Sequence, residues 1–130
     1  AKSRAKVRSI MNDVSRGRLV NDMAEASVVI SNPSHYSVAV KYEVGQPGPP
    51  IIVARGLDNR AQLIKDTARS QEIPRVENRP LARALYAQCK VDDTIPGGLY
   101  EAVAEVLAFV YRLRESQGYT SAAQPGTGLA

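Results

Sequence analysis

The sequence predicts a small α/β fold: one domain in which a mixed, four-stranded sheet is covered by about three to four helices, preceded by a basic N-terminal arm. Three observations support this fold class. Short apolar or alternating segments come first, and three apolar stripes at helical spacing follow them. Clusters of proline and glycine separate these segments. The length of 130 residues suits one domain, since domains commonly have about 100 to 150 residues.

Three strands are predicted in the first half of the chain. Residues 28–30 are a short apolar run that ends at a turn signal, residues 31–34. Residues 36–43 alternate between apolar and polar side chains, which is typical of a half-buried strand. The breaker cluster at residues 45–50 predicts a long exposed loop, after which the apolar residues 51–53 begin the third strand.

The first helix of the sheet-covering set is predicted to begin after Asp58, a favourable N-cap residue, and to end near residue 70. Its inward stripe consists of Leu57, Ala61, Ile64 and Ala68. Ile73 and Pro74 end this helix. Residues 75–77 are predicted to form a short fourth strand.

Two more helices complete the predicted domain. One begins at Asn78 and Arg79 with Pro80 in its first turn, where the missing N–H costs nothing. Its inner positions are Leu81, Leu85 and Cys89. The last and longest helix follows residues 95–98, and its inner positions are Leu99, Val103, Val106, Val110 and Leu113.

Charge is unevenly distributed along the chain. The formal net charge is +4, but residues 1–18 carry +5 and the remaining residues carry −1. We therefore divide the chain into a basic linker or helical arm at 1–26, a domain at 27–114 and a disordered tail at 115–130, which lacks periodicity and apolar mass. A basic arm can bind nucleic acid, lie on an anionic membrane surface or serve as a solvated linker, and charge alone leaves these three open.

Composition argues against several classes of protein. No apolar run approaches the roughly 18 residues that cross a bilayer, so a soluble chain is expected. Cys89 and His35 are the only cysteine and the only histidine, too few for a disulfide or a Cys/His zinc site. We predict no metal, no cofactor and a reducing compartment. A hydrolase built on these two residues is disfavoured, because a cysteine on an inner helix stripe is usually inert.

The turn at Asn32 and Pro33 offers one unusual reaction. Deamidation through the following backbone N–H is closed because Pro33 has none. The Asn32 side-chain nitrogen can instead attack its own main-chain carbonyl, form a succinimide and expel the Pro33 nitrogen. This requires a strained, near-attack backbone and a proton source. His35 can move a proton, and the Ser34 hydroxyl can polarise the carbonyl or fix the turn. Taken alone, these residues are more typical of an ordinary surface turn than of a reactive site.

The residues around this turn resemble a known family. Residues 28–42, VVISNPSHYSVAVKY, are similar to the self-cleaving region of the export-switch proteins of bacterial flagella and type III secretion systems, the FlhB/YscU family. The motif of that family is Asn-Pro-Thr-His. The resemblance spans roughly residues 16 to 113 and continues, in order, through residues 53–58, 73–78, 80–86 and 95–107.

The resemblance implies the cytoplasmic C-terminal domain of a membrane-embedded export-gate protein, at the cytoplasmic face of the bacterial inner membrane. Asn32 is then the reacting residue, Pro33 the new N-terminus, and Ser34 and His35 complete the motif, with His35 assisting. The implied reaction is a single self-cleavage, not enzymatic turnover, and it switches export from early to late substrates. Ser34 replaces the usual threonine and lacks its χ1-stiffening methyl, so we expect slower or incomplete cleavage.

The expected partners also follow from the resemblance. They are other export-gate components, a length-control protein, export substrates with their chaperones, and an anionic membrane surface for the arm. Residues 99–113 favour the flagellar branch. An injectisome homologue is the alternative, and a basic nucleic-acid-binding module is the alternative of another class. We expect no nucleic-acid partner, because the arm lacks interleaved aromatics and a reading motif. Residues 45–50 either connect strands or provide a contact loop.

Overall fold

The computed structural model describes residues 16–33 and 35–116. The described elements are, in chain order, α1 (residues 16–22), β1 (Val28–Asn32), β2 (Tyr36–Lys41), β3 (Ile51–Leu57), α2 (Asn59–Ser70), β4 (Arg75–Glu77), α3 (Arg79–Gln88) and α4 (Gly97–Ser116). The four strands form one sheet. The predicted α/β fold with a four-stranded mixed sheet is therefore confirmed.

The strand order in the sheet is β3-β2-β1-β4. β1 and β2 form an antiparallel hairpin whose last pair at the turn is Asn32 and Tyr36. β3 is antiparallel to β2, with a bulge between Ala39 and Val40, while β4 runs parallel to β1. β1 is consequently an interior strand, hydrogen-bonded to a neighbour on each side.

Both faces of the sheet are covered by helices. On one face, Ile30 and Val38 pack in a cluster with residues of α3 and α4 such as Leu85 and Val103. On the other face, Val29 and Ala39 pack with residues of α1 and α2. The prediction that β2 is half-buried was wrong: Ser37 and Ala39 are 0% exposed because α2 covers the face that reads as polar in the sequence.

The helical stripes are mostly as predicted. Ala61, Ile64 and Ala68 of α2 are buried, as are the inner positions of α3 and the central positions of α4. Two residues at the ends of the predicted stripes are not buried. Leu57 is 43% exposed because it is the last residue of β3 and not part of the helix, and Leu113 is 42% exposed, so the buried stripe of α4 ends at Val110.

The N-terminal boundary of the packed domain lies before residue 27. Leu19 and Met23 are 0% exposed and belong to the cluster on the α2 face. The Gln71 side chain, which follows α2, also donates a 3.1 Å hydrogen bond to the Val20 carbonyl. Part of the segment assigned to the arm therefore completes the core, while residues 1–15 of that arm lie outside the described residues.

At the other end, α4 continues through Glu115 and Ser116, the first two residues assigned to the tail. Residues 117–130 lie outside the described part of the chain. Of the helices within residues 16–33 and 35–116, none combines the length and the apolar character that a membrane crossing requires.

Candidate functional site

The turn between β1 and β2 fixes the carbonyl group of Asn32. The backbone N–H of His35 donates a 3.0 Å hydrogen bond to the Asn32 carbonyl oxygen, as in a β-turn that begins at Asn32. Pro33 occupies the second position of this turn, where its restricted φ is favoured. Ser34 is outside the described residues. The structure thus brings Asn32, Pro33 and His35 together at one tight turn.

The end of β1 is held from both sides. Ser31 pairs with Ser37 of β2, and the backbone N–H of Asn78 donates a 3.0 Å hydrogen bond to the Ser31 carbonyl. Asn32 itself is half-buried, and no hydrogen bond to its side chain occurs among residues 16–33 and 35–116. The main chain of Asn32 is therefore fixed at the end of β1.

The hydrogen bond from His35 to Asn32 also affects the carbonyl group that the asparagine side chain would attack. The Asn32 carbonyl carbon is the atom that the side-chain nitrogen would attack, and its oxygen would gain negative charge during that attack. A fixed backbone N–H that points at this oxygen stabilises such a charge. The His35 N–H is already in that position before any reaction.

His35 is linked to the residue that precedes α2. The Asp58 backbone N–H donates a 2.8 Å hydrogen bond to the His35 carbonyl, and the Asp58 Oδ1 atom lies 3.9 Å from His35 Nδ1. Both side chains are largely exposed, at 63% for His35 and 66% for Asp58. Two hydrogen bonds therefore connect Asp58, through His35, to the carbonyl of Asn32.

The predicted side-chain cap by Asp58 was wrong. Asp58 does occupy the N-cap position of α2, but its side chain makes no capping hydrogen bond with the described helix. Its backbone has φ 52° and ψ −114°, a conformation unusual for a residue with a Cβ. An aspartate before a helix normally indicates a cap, so the sequence gives no signal of its contact with His35.

Gly56 and Ser37 determine where the first turn of α2 lies. A Cβ on Gly56 would come within 2.8 Å of the Arg60 carbonyl carbon, so only glycine allows this approach of helix and strand. The Ser37 hydroxyl donates a 3.0 Å hydrogen bond to the Ala61 carbonyl. These contacts seat α2 directly on β2 and β3 and thereby set Asp58 beside the hairpin turn.

An aromatic stack supports the other side of the turn. The Tyr36 and Tyr86 ring centroids are 5.0 Å apart, and the Arg55 guanidinium lies 3.9 Å from the Tyr86 ring centroid. Arg55 Nη2 donates a 3.0 Å hydrogen bond to the Tyr86 carbonyl, whereas its buried Nε finds no partner in the described structure. The stack connects the first residue of β2 to β3 and α3.

A groove of about 630 Å³ opens beside the turn. It lies along α3, and its lining residues are Asn32, Arg79, Pro80, Arg83, Ala84 and Ala87. Asn32 therefore lies in an accessible part of the surface, next to two arginine side chains.

Cys89 is not part of this site. It is 2% exposed at the C-terminal end of α3, and burial, reinforced by the Asp93 charge, raises the pKa of its thiol. A catalytic cysteine needs a lowered pKa and access to substrate. The structure therefore gives no support to a hydrolase based on Cys89 and His35.

The architecture is similar to that of solved C-terminal and cytoplasmic domains of FlhB and EscU proteins. The cytoplasmic domain of FlhB from Shewanella putrefaciens is similar with a TM-score of 0.72 and 42% identity, over 78% of this chain and 82% of that one. An EscU C-terminal domain with one asparagine replaced by alanine has a TM-score of 0.69 and 29% identity, over 72% of this chain and 94% of that one.

The sequence comparisons agree with the structural ones. Residues 1–110 match the FlhB HrpN YscU SpaS Family, and the chain belongs to this family. The resemblance inferred from the sequence motifs is confirmed. The flagellar biosynthetic protein FlhB of Bacillus subtilis is 37% identical over 112 residues, which are 86% of this chain and 31% of that protein. FlhB of Helicobacter pylori is 40% identical over 114 residues, 88% of this chain and 32% of that protein. The chain thus spans about a third of the length of these relatives.

Proposed function

We propose that this domain cuts its own chain between Asn32 and Pro33 by asparagine cyclisation, and that the cut switches the substrate specificity of a bacterial type III export apparatus. One observation carries the first part: the Asn32 carbonyl, bonded to a proline, is held by the His35 N–H at 3.0 Å in a fixed turn. The family adds support, since EscU domains have been solved with an asparagine replaced and with the proline that directly follows it replaced.

The proposed reaction requires no cofactor and no external nucleophile. The Asn32 Nδ2 atom forms a bond to its own main-chain carbonyl carbon, the bond from that carbon to the Pro33 nitrogen breaks, and a proton passes from Nδ2 to the departing nitrogen. The products are a C-terminal succinimide at residue 32 and a free proline amine at residue 33. Water later opens the succinimide. His35 and the Ser34 hydroxyl are the proposed groups for proton movement and for holding the turn.

The sheet explains why the two pieces would stay together. β1 would end the first fragment, and it lies between β2 and β4, both of which belong to the second fragment. The first fragment also contributes Leu19, Met23 and Ile30, all 0% exposed, to the shared core. Burial of one such side chain is worth about 1.5–3 kcal/mol, so several together oppose dissociation strongly.

Cleavage would change the surface where the turn lies. It replaces a closed hairpin with two chain ends, one of which bears a new positive amine. We propose that export-gate components, a length-control protein, substrates and chaperones recognise this difference. The flagellar branch is favoured because FlhB relatives reach 37–42% identity, against 29% for the EscU domain.

The location of the domain is part of the same proposal. We place it at the cytoplasmic face of the bacterial inner membrane, with the basic arm directed toward anionic lipid, where each lysine or arginine contributes about 1 kcal/mol. Retention of the intact chain on anionic vesicles, with none on neutral vesicles or on duplex DNA at physiological salt, is the expected result. Equal retention on DNA and anionic lipid would contradict it.

Intact-mass analysis of the denatured protein tests the cleavage. The expected result is a pair of fragments, residues 1–32 and 33–130, that elute as one species before denaturation. Asn32→Ala should give a single uncut mass, because it has no side-chain nitrogen, and His35→Ala should cut slowly. Fragments that persist in Asn32→Ala would instead indicate a contaminating protease.

The switch is tested separately in flagellated cells that produce only the variant protein. Asn32→Ala should still export early substrates and fail to export late ones. Normal export of late substrates by an uncut Asn32→Ala protein would contradict the switch, even if cleavage itself were established.

A further inference from the structure

We propose that Asp58 is a positioning residue for the cleavage, and that it acts by holding His35 through both its backbone and its carboxylate. This inference rests on the proposed self-cleavage at Asn32. The two contacts that carry it are the 2.8 Å hydrogen bond from the Asp58 N–H to the His35 carbonyl and the 3.9 Å approach of Oδ1 to His35 Nδ1.

The backbone of Asp58 provides the first argument. Its φ of 52° with a ψ of −114° is a conformation that glycine adopts readily and aspartate does not. Strained residues persist only where the surrounding structure holds them, and they cluster at functional sites. Here the strain turns the Asp58 N–H toward His35, while the Asp58 carbonyl accepts the first hydrogen bond of α2 from Gln62 at 3.0 Å.

The side chain provides the second argument. An aspartate at an N-cap normally accepts a hydrogen bond from the first turn of its helix, and this contributes to stability. Asp58 makes no such bond with the described part of α2, and its carboxylate lies beside the imidazole instead. A residue that gives up a stabilising cap and adopts a strained backbone is better explained by its contact with the turn than by the helix.

The chemical consequence concerns which nitrogen of His35 carries the proton. A carboxylate beside Nδ1 favours the tautomer with hydrogen on Nδ1, which leaves the Nε2 lone pair free to accept a proton. Both side chains are exposed, so the pair acts through orientation and not through a strong attraction. The Asp58 N–H meanwhile holds the His35 peptide unit, whose own N–H faces the carbonyl of Asn32.

Two variants test the carboxylate, once with and once without the backbone strain, and the chain offers a matched control. Asp58→Asn keeps the N–H and the size but removes the carboxylate, and Asp58→Gly also relieves the backbone strain. Asp92 is likewise an exposed aspartate with positive φ, 77°, and its N–H donates to the Ile52 carbonyl, away from the hairpin turn. Asp92→Asn and Asp92→Gly are therefore the control pair.

The rate of cleavage is measured on full chains made by cell-free synthesis and sampled over time. Both Asp58 variants should cleave about two- to fivefold more slowly than wild type, the size of effect expected when an exposed charged partner is lost. Both Asp92 variants should cleave at the wild-type rate. Nitrogen-15 NMR of the imidazole, recorded in the uncut Asn32→Ala chain, should show the Nδ1–H tautomer depleted by Asp58→Asn and unchanged by Asp92→Asn.

The outcomes distinguish this inference from the proposed function. Wild-type cleavage rates in both Asp58 variants would overturn it, as would slow cleavage with an unchanged tautomer, because the latter is a purely structural effect. If the wild-type chain does not cleave at Asn32, the proposed function and any role of Asp58 in cleavage fail together. In that case the NMR result still says whether Asp58 contacts His35. If Asp58→Asn leaves the Nδ1–H tautomer unchanged, the carboxylate does not act on the imidazole. If Asp58→Asn depletes this tautomer, the contact exists but has only a structural role.

Discussion

Gly56 is the position where one added methyl group should disturb both the fold and the site. It lies in β3 against the first turn of α2, and an ideal Cβ would be 2.8 Å from the Arg60 carbonyl carbon and 3.0 Å from the Ala61 nitrogen. Both are backbone atoms, so no side-chain rotation relieves the clash. Overpacking of this kind costs about 1–3 kcal/mol. We expect Gly56→Ala to lower the free energy of unfolding by that amount.

Urea unfolding followed by circular dichroism measures this loss. The chain should carry Asn32→Ala, so that a single uncut species unfolds. In a domain of this size, each kcal/mol also lowers the melting temperature by about 4–8 °C. Gly98→Ala in α4 is the matched control, because no neighbouring atom lies within 4 Å of an added Cβ there. That change should be neutral or stabilising by up to about 1 kcal/mol.

The same substitution should slow cleavage when Asn32 is present. Moving the first turn of α2 away from β3 also moves Asp58, which contacts His35. A Gly56→Ala chain with the stability and cleavage rate of the Gly98→Ala chain would refute the reasoning, since it would mean that the close approach of α2 to the sheet is not required.

Two further predictions concern the other side of the sheet. Tyr86→Leu keeps a large apolar side chain but removes the ring between Arg55 and Tyr36. We expect urea unfolding to show a free energy of unfolding lower by about 1–3 kcal/mol, because one aromatic pair and one cation–π contact are lost. A decrease below about 0.5 kcal/mol would contradict this. Burial raises the pKa of the Cys89 thiol in the folded chain. As pH rises, the thiol therefore loses its proton at a lower pH in the unfolded chain than in the folded one. The free energy of unfolding should consequently fall as pH rises past about 8.5, the ordinary thiol value. Urea midpoints at neutral and alkaline pH, compared with Cys89→Ala, measure this fall, and an equal pH dependence in the two proteins would contradict it.

Local patterns in the sequence were sufficient to predict most elements. The apolar run at residues 28–30, the proline and glycine breakers and the helical stripes of α3 and α4 each depend on neighbours close in the chain. The pairing of β4 with β1 depends on distant residues and could not be read in this way. The full burial of β2 was missed because Ser37 and Ala39 carry small side chains, which do not form a strongly apolar stripe in the sequence. Such small side chains nevertheless allow a helix to pack closely and bury them.

In the candidate site, too, the features that depend on neighbouring residues could be predicted and the contact between distant residues could not. Asn32, Pro33 and His35 are adjacent in the sequence, so their shared turn followed from the strand and breaker pattern. The roles assigned to these residues, and to Ser34, remain predictions. The contact between Asp58 and His35 could not be predicted, because it depends on how α2 sits on the sheet. Leu19 and Met23 were assigned to the arm for a similar reason, since the charge around them conceals their place in the core.

The mass of the first fragment immediately after cleavage tests the central claim most directly. Asparagine cyclisation predicts a fragment of residues 1–32 that is one water molecule lighter than the hydrolysed peptide, gains that water on standing, and is absent from Asn32→Ala. A fragment that carries the full water from the earliest time point, and that also forms in Asn32→Ala, would contradict self-cleavage by this residue.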